Sequence, residues 1–198
     1  MTSISNALFW ISNGLLVPVV VLLLFFFLRA ILMVGGFFGE FWQKIKLQQQ
    51  MNDMLEKLTP ENTEELYRQL SGNKNIPILH CLHKLYAHRK NDAYCERLLA
   101  NYEVDAEKEL GRSRSFIKLG PMLGLMGTLI PMGPALVGLS TGDIASMAYN
   151  MQIAFATTVV GMVIAAIGVI TLQVKQRWYA RDINDLEYIY KNLRHEKE

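Results

Sequence analysis

Residues 120–174 read GPMLGLMGTLIPMGPALVGLSTGDIASMAYNMQIAFATTVVGMVIAAIGVITLQV, and this stretch decides the fold. Two apolar runs, each close to the roughly 20 residues a helix needs to cross a bilayer, flank a short polar turn. The turn runs from Ser140 to Ser146, and its only charge is Asp143. The first run carries Pro121, Gly124, Gly127 and Thr128; the second carries Asn150, Gln152, Thr157, Thr158 and Gly161. Small and hydroxylated residues on matched faces mark helices that meet other helices in lipid, where van der Waals contact and hydrogen bonds stand in for the hydrophobic drive.

The rest of the 198-residue chain agrees, because its apolar residues are gathered into blocks instead of spread at helical or strand spacing. A net charge of +2, with no cluster of Lys and Arg interleaved with aromatics, argues against binding nucleic acid. The run from Ala7 to Leu28 has no charge before it, and the first one, Arg29, follows it. A cleavable signal peptide has the opposite order, so this run reads as a first transmembrane helix between Leu8 and Phe38. Pro18 is a candidate kink, and Arg29 either ends the span or snorkels from within it.

Positive residues fix the expected orientation. Lys44, Lys46, Lys57, Arg68 and others up to Lys118 fill the segment between the first span and the hairpin, and Lys175 to Lys197 fill the tail; the N-terminal tip and the 140–146 turn have none. The positive-inside rule then predicts an all-α membrane protein with three transmembrane helices, N-terminus outside and C-terminus inside. Its parts are residues 1–38 (N-terminal region and first span), 39–114 (cytoplasmic helical segment), 115–174 (the hairpin of spans two and three) and 175–198 (cytoplasmic C-terminal helix).

Between the spans, Phe37, Phe38, Phe41, Trp42 and Ile45 recur at helical spacing and carry the first helix out of the membrane. Thr59-Pro60-Glu61 reads as a helix start and Ser71-Gly72-Asn73 as its stop. A further helix is expected from Ile78, continuing through Leu98 and Leu99 towards Leu110. In the tail, Ile183, Leu186, Tyr190 and Leu193 form an apolar stripe that fits a neighbouring helix better than an anionic lipid surface, given Asp182, Asp185 and Glu187.

His80, Cys81, His83, His88 and Cys95 could ligate metal, but their spacing matches no zinc pattern, and polar residues on a helix flank account for them; no metal is expected. Cys81 and Cys95 read as reduced thiols if the segment is cytosolic. No nucleophile elbow, phosphate-binding loop or catalytic carboxylate pair occurs, so neither an enzyme nor a cofactor is expected.

Within the hairpin, Ala154, Thr158, Gly161, Ala165 and Gly168 step by four and three, a seam along which a second helix can approach to backbone contact. Gly120, Gly124, Gly127 or Thr128, Pro131, Ala135 and Gly138 form its counterpart. Each threonine taken alone fits a hydroxyl bonded back to its own helix. Thr157 and Thr158, however, point about a quarter-turn apart, and Thr128 sits beside the Gly124 and Gly127 groove. Asn150 and Gln152 add amides that are costly unpaired in lipid. Polar lining of a path explains the set: Thr128, Thr157 and Thr158 along it with Asn150 and Gln152 as further lining, and Gly124, Gly127, Ala154, Gly161, Ala165 and Gly168 as packing.

Pro121 to Thr128 (PMLGLMGT) resembles the second-span signature of the MotA/TolQ/ExbB proton-channel family, and Ala156 to Gly161 (ATTVVG) its third-span signature. The three-span layout is similar to the TolQ/ExbB branch. The resemblance implies a homopentamer in the inner (cytoplasmic) membrane around two copies of a single-span partner similar to ExbD, TolR or MotB, whose membrane aspartate carries the titrating charge. Thr128 and Thr158 correspond to the threonines lining the path, with Thr157 an added hydroxyl. Neither hairpin span contains an acid or a histidine, which fits a charge supplied from outside the chain. The branch has a glutamate five residues before its third-span threonine; here Ile153 stands there, and Pro131 and Pro134 are also unusual. The expected function is a motor subunit coupling proton flow to work, with a sodium-driven version, a non-conducting membrane scaffold and a metal-sensing module on His80, Cys81, His83 and Cys95 as rivals.

Overall fold

The computed structural model describes residues 2–55 and 76–195, which form four helices and, among the described residues, no strand. They are α1 (Thr2–Leu55), α2 (Pro77–Ala87), α3 (Asp92–Thr141) and α4 (Ile144–His195). By length and composition α1, α3 and α4 can each cross a membrane. The helix start at Thr59-Pro60-Glu61 and the stop at Ser71-Gly72-Asn73 lie outside the described residues.

Local chemistry sets the element ends. Pro77 occupies the first turn of α2, where its missing N–H is no loss. Continuous helix was expected from Ile78 towards Leu110, but residues 88–91 interrupt it. The side chain of Asn91 accepts a hydrogen bond from the Tyr94 N–H (3.2 Å) and so caps α3, an interruption with no Gly or Pro to mark it. Between α3 and α4, Gly142 takes φ +78°, a left-handed turn position that an L side chain resists. Asp143 then caps α4 by accepting from the Ser146 N–H at 3.0 Å. Both α1 and α3 pass through prolines unbroken: Pro18 in the first, Pro121, Pro131 and Pro134 in the second.

The chain divides into two compact units, Met1–Phe37 with Arg112–Leu172, and Phe38–Gly111 with Gln173–Glu198. In the first, Val19, Leu23 and Ala30 of α1, Phe116, Leu123 and Ile130 of α3 and Ile164 of α4 form the core. Its outer surface is apolar, with Val17, Val21, Leu125, Leu129, Val159 and Met162 all exposed. A soluble domain hides such side chains; a membrane domain shows them to lipid or to other subunits.

The second unit has an ordinary core of Leu47, Met51, Ile78, Leu82, Leu85 and Tyr102 with Leu186, Ile189 and Leu193. The apolar stripe of the tail therefore packs within its own chain. Phe41 and Trp178 lie with ring centroids 5.8 Å apart, and Lys175 reaches Glu40 at 2.8 Å. Cys81 and Cys95 are buried in this core and are not joined in a disulfide. His80 is exposed and His83 half-buried, and among the described residues no three His, Cys, Asp or Glu gather as a metal site requires.

One polar network ties three helices of this unit together. Lys44 of α1 pairs with Asp182 of α4, and the Tyr102 hydroxyl of α3 donates to the same carboxylate at 2.8 Å. Asp182 is almost fully buried, so both partners are needed to offset its desolvation. Asp182→Ala leaves the Lys44 ammonium and the Tyr102 hydroxyl without that acceptor; a loss of about 3 kcal/mol is expected in chemical unfolding of the full chain in detergent.

Burial pushes the Cys81 thiol up to about 11, against the pull of Lys84. Burial, and secondarily Asp182, holds the Tyr102 hydroxyl far above its ordinary range. An unfolded chain releases a cysteine proton from about pH 8.5, so between there and pH 11 the folded state holds more protons than the unfolded one and stability falls as pH rises. The Tm should therefore decline steadily from pH 8 to 10.5. Cys81→Ala should flatten the lower part of that slope.

Candidate functional site

The hairpin of α3 and α4 is built on missing side chains. A Cβ placed on Gly161 would stand 2.5 Å from the Gly120 carbonyl oxygen, and one placed on Gly120 would stand 2.7 Å from that of Gly161. At Gly124 it would lie 3.4 Å from the Cα of both Gly161 and Thr158. At Gly120 and Gly161 the backbones touch, and only glycine permits it. Further along, Gly168 receives Ile117 and Phe116, with approaches of 2.9 and 3.0 Å to an added Cβ. At the turn, Gly138 lies against the Asp143 carbonyl and the Met147 N–H.

The buried stripe of α4 is Ala154, Thr157, Gly161, Ile164, Gly168 and Thr171. It shares Ala154, Gly161 and Gly168 with the seam expected from sequence, but Thr157 and Ile164 stand where Thr158 and Ala165 were expected. The reason is complementarity of shape. Gly127 leaves a notch that the Thr157 side chain fills, with Thr157 Cβ and Oγ1 each 2.6 Å from where a Gly127 Cβ would be. Ile164 Cγ2 likewise fills the space beside Gly120. A small residue makes a hole, and the best occupant of a hole is a branched side chain, not another small one. Thr158 and Ala165 are half-buried at the margin of the seam, as is Thr128 on α3.

Each threonine hydroxyl donates within its own helix. Thr128 donates to the Leu125 carbonyl (2.7 Å), Thr158 to Ala154 (3.2 Å), and Thr157 is placed to donate to Ala154 (2.9 Å) or Ile153 (3.1 Å). A hydroxyl oxygen so engaged still has lone pairs with which to accept. The Asn150 amide donates to the Ser146 carbonyl at 2.9 Å, and Gln152 is exposed.

Two polar features escaped the sequence reading. Ser113 and Thr171, both almost fully buried, approach with hydroxyls 3.3 Å apart, and Thr171 can also donate to Ile167 and Gly168. Extending the 154, 161, 168 spacing by three more residues would have found Thr171. In addition, Pro131 has no N–H to return to the carbonyl of Gly127, and Pro134 none for that of Ile130. Two helical hydrogen bonds are thus missing within a turn of Thr128, a signal carried by the prolines themselves.

Residues 79–188, more than half of the chain and the whole hairpin with them, match the MotA/TolQ/ExbB proton channel family. The chain belongs to this family. The three helices able to span a membrane are consistent with the three-span TolQ/ExbB branch. Membership in the MotA/TolQ/ExbB family makes this multi-pass membrane protein an ion-channel-type motor subunit, of a kind that works with partner proteins. No curated protein and no solved structure matches the chain.

The glycine contacts give a direct test. Gly161→Ala forces a methyl into the Gly120 backbone and should cost about 1 to 3 kcal/mol of hairpin stability. Gly36→Ala, where nothing lies within 4 Å of the new Cβ, should be neutral or gain about 0.5 to 1 kcal/mol from helix propensity. Denaturant titration of both variants in detergent measures the contrast.

Proposed function

We propose that this chain is the ring-forming subunit of a proton-driven motor in the inner (cytoplasmic) membrane. Five copies, N-terminus outside and C-terminus inside, surround two copies of a single-span partner of the ExbD, TolR or MotB kind. A membrane aspartate of that partner carries the proton, and Thr128, Thr157 and Thr158 flank its path. The observation that carries this reading is that the family match includes a hairpin whose spans hold no acid and no histidine. The hairpin's one acid, Asp143, caps α4 in the turn. An ion-channel-type subunit with no titrating group of its own in those spans needs a carboxylate from elsewhere.

The seam supports a division of roles among the threonines. Thr157 is buried against Gly127 and belongs with the packing as much as with the path, whereas Thr128 and Thr158 lie half-buried at its margin. The prolines add two carbonyls that lack a helical partner close to Thr128. Each proton crossing releases about 2.3 kcal/mol per 100 mV, which is the energy available to drive motion of the partner.

One observation favours the rival reading of a non-conducting scaffold: all three hydroxyls already donate to their own helices. Thr158→Val separates the two. In membrane vesicles containing the chain and its single-span partner, that variant should abolish proton flux, read with a trapped pH dye, while the size of the complex stays unchanged. Normal flux would remove Thr158 from the path. Sodium flux, read with a trapped sodium-sensitive dye, in place of proton flux would assign a sodium-driven motor instead.

A further inference from the structure

Arg29 is the single charged residue in the chain before Glu40, with apolar sequence on both sides of it. A guanidinium in that setting calls for an anion. In the first unit, Arg29, Leu32 and Met33 of α1 and Arg112, Ser115 and Phe116 of α3 line one open groove of about 550 Å³. Two arginines line it, and among the described residues that line it there is no carboxylate. The flank of the groove is apolar and outward-facing: Phe25, Leu28 and Leu32 are all exposed.

We infer that this groove binds the phosphate of an anionic phospholipid, with the acyl chains lying along the exposed face of α1. Arg29 and Arg112 offer planar forks of N–H donors that match phosphate oxygens, and Ser115 lines the same space. The depth is right. Ala7 to Leu28 rises roughly 33 Å as a helix, the thickness of a hydrocarbon core of about 30 Å, so Arg29 emerges where headgroups begin. On α3 the uncharged run begins at Leu119, after Lys118, and Arg112 precedes it by about two turns, within reach of the same layer for a long side chain. The volume exceeds that of a phosphate alone and leaves room for the glycerol and the first acyl carbons. Arg29 thereby fixes the end of the first span instead of burdening its interior.

The full-length protein, purified in detergent and delipidated, is given equal amounts of phosphatidylglycerol and phosphatidylcholine, and retained lipid is counted by native mass spectrometry. Phosphatidylglycerol should be retained over phosphatidylcholine by about tenfold or more, the effect of one charge-assisted hydrogen bond. Arg29→Gln with Arg112→Gln should erase the preference at unchanged helix content and unchanged oligomer mass, and Arg29→Lys with Arg112→Lys should keep part of it. Equal retention of the two lipids by the unsubstituted protein overturns the inference, as does a preference that survives the double Gln variant. Displacement of the lipid by millimolar inorganic phosphate would make this a free-phosphate site and also overturns it. So would a change of oligomer mass in the double Gln variant without loss of lipid preference, which would assign the groove to contact between subunits.

Discussion

Lipid gives two apolar helices no hydrophobic reason to leave it for one another, so the hairpin depends on how closely two backbones can come. That distance is set where Gly120 of α3 meets Gly161 of α4, at separations no Cβ would allow, with Gly124 packed tightly beside them. Dispersion falls steeply with distance, and backbone contact is the closest approach helices have. Once these glycines touch, the register of the hairpin is fixed. Thr157 falls over Gly127, Ile164 beside Gly120, and Gly168 under Phe116 and Ile117. Gly138 and the Asp143 cap close one end, and the Ser113 and Thr171 pair lies at the other. Thr158 meets Gly124 through its Cα and has its half-buried side chain at the margin of the seam, with Gly161 in the middle of it.

Much of this was legible in the chain. Three apolar runs, the polar turn at Asp143, the glycine positions and the family signatures around Thr128 and Thr158 are one-dimensional patterns, and they translate directly into helices, a hairpin and a family. The rotation of α4 about its axis was not legible. Small residues at 154, 158, 161, 165 and 168 are as regular as the observed stripe through 154, 157, 161, 164 and 168, and periodicity alone cannot say whether a small residue makes a hole or fills one. The α3 side decides it, since Gly127 needs a branched partner. The break at residues 88–91 was hidden for a related reason: Asn91 stops one helix and starts another by a side-chain hydrogen bond, without the Gly or Pro that usually marks such a place. The groove holding Arg29 and Arg112 joins residues more than eighty positions apart, and only the tertiary structure brings them to one wall.

The two units treat polarity in opposite ways. The second buries an ion pair, Lys44 with Asp182, and adds the Tyr102 hydroxyl to it, an arrangement that fixes three helices in one register. The two spans of the hairpin hold no charged side chain, and the hydroxyls of Thr128, Thr157 and Thr158 each donate to a carbonyl of their own helix. A hydroxyl that donates backwards carries no formal charge into lipid, yet keeps lone pairs with which to accept. It is the least costly polar group a transmembrane helix can hold, and it requires no partner to remain folded.

That asymmetry bears on how such a subunit could work. A carboxylate built into the hairpin would be a permanent liability of several kcal/mol whenever it stood ionised and unpaired in lipid, and the ring proposed above would multiply it. A carboxylate on a separate span, as in the proposed arrangement, meets the hydroxyls only where the assembly brings it beside Thr128 and Thr158. The hairpin is then a fixed wall, tightened by glycine contact and already satisfied in its own hydrogen bonds, against which a charge can be taken up and released. Rigidity follows from the same residues that exclude titrating groups: glycines, which let the backbones lock, and threonines, which bond to their own helix. In the proposed arrangement a wall of this kind has no titrating group of its own to rearrange, which leaves the free energy of ion transfer to act on the partner.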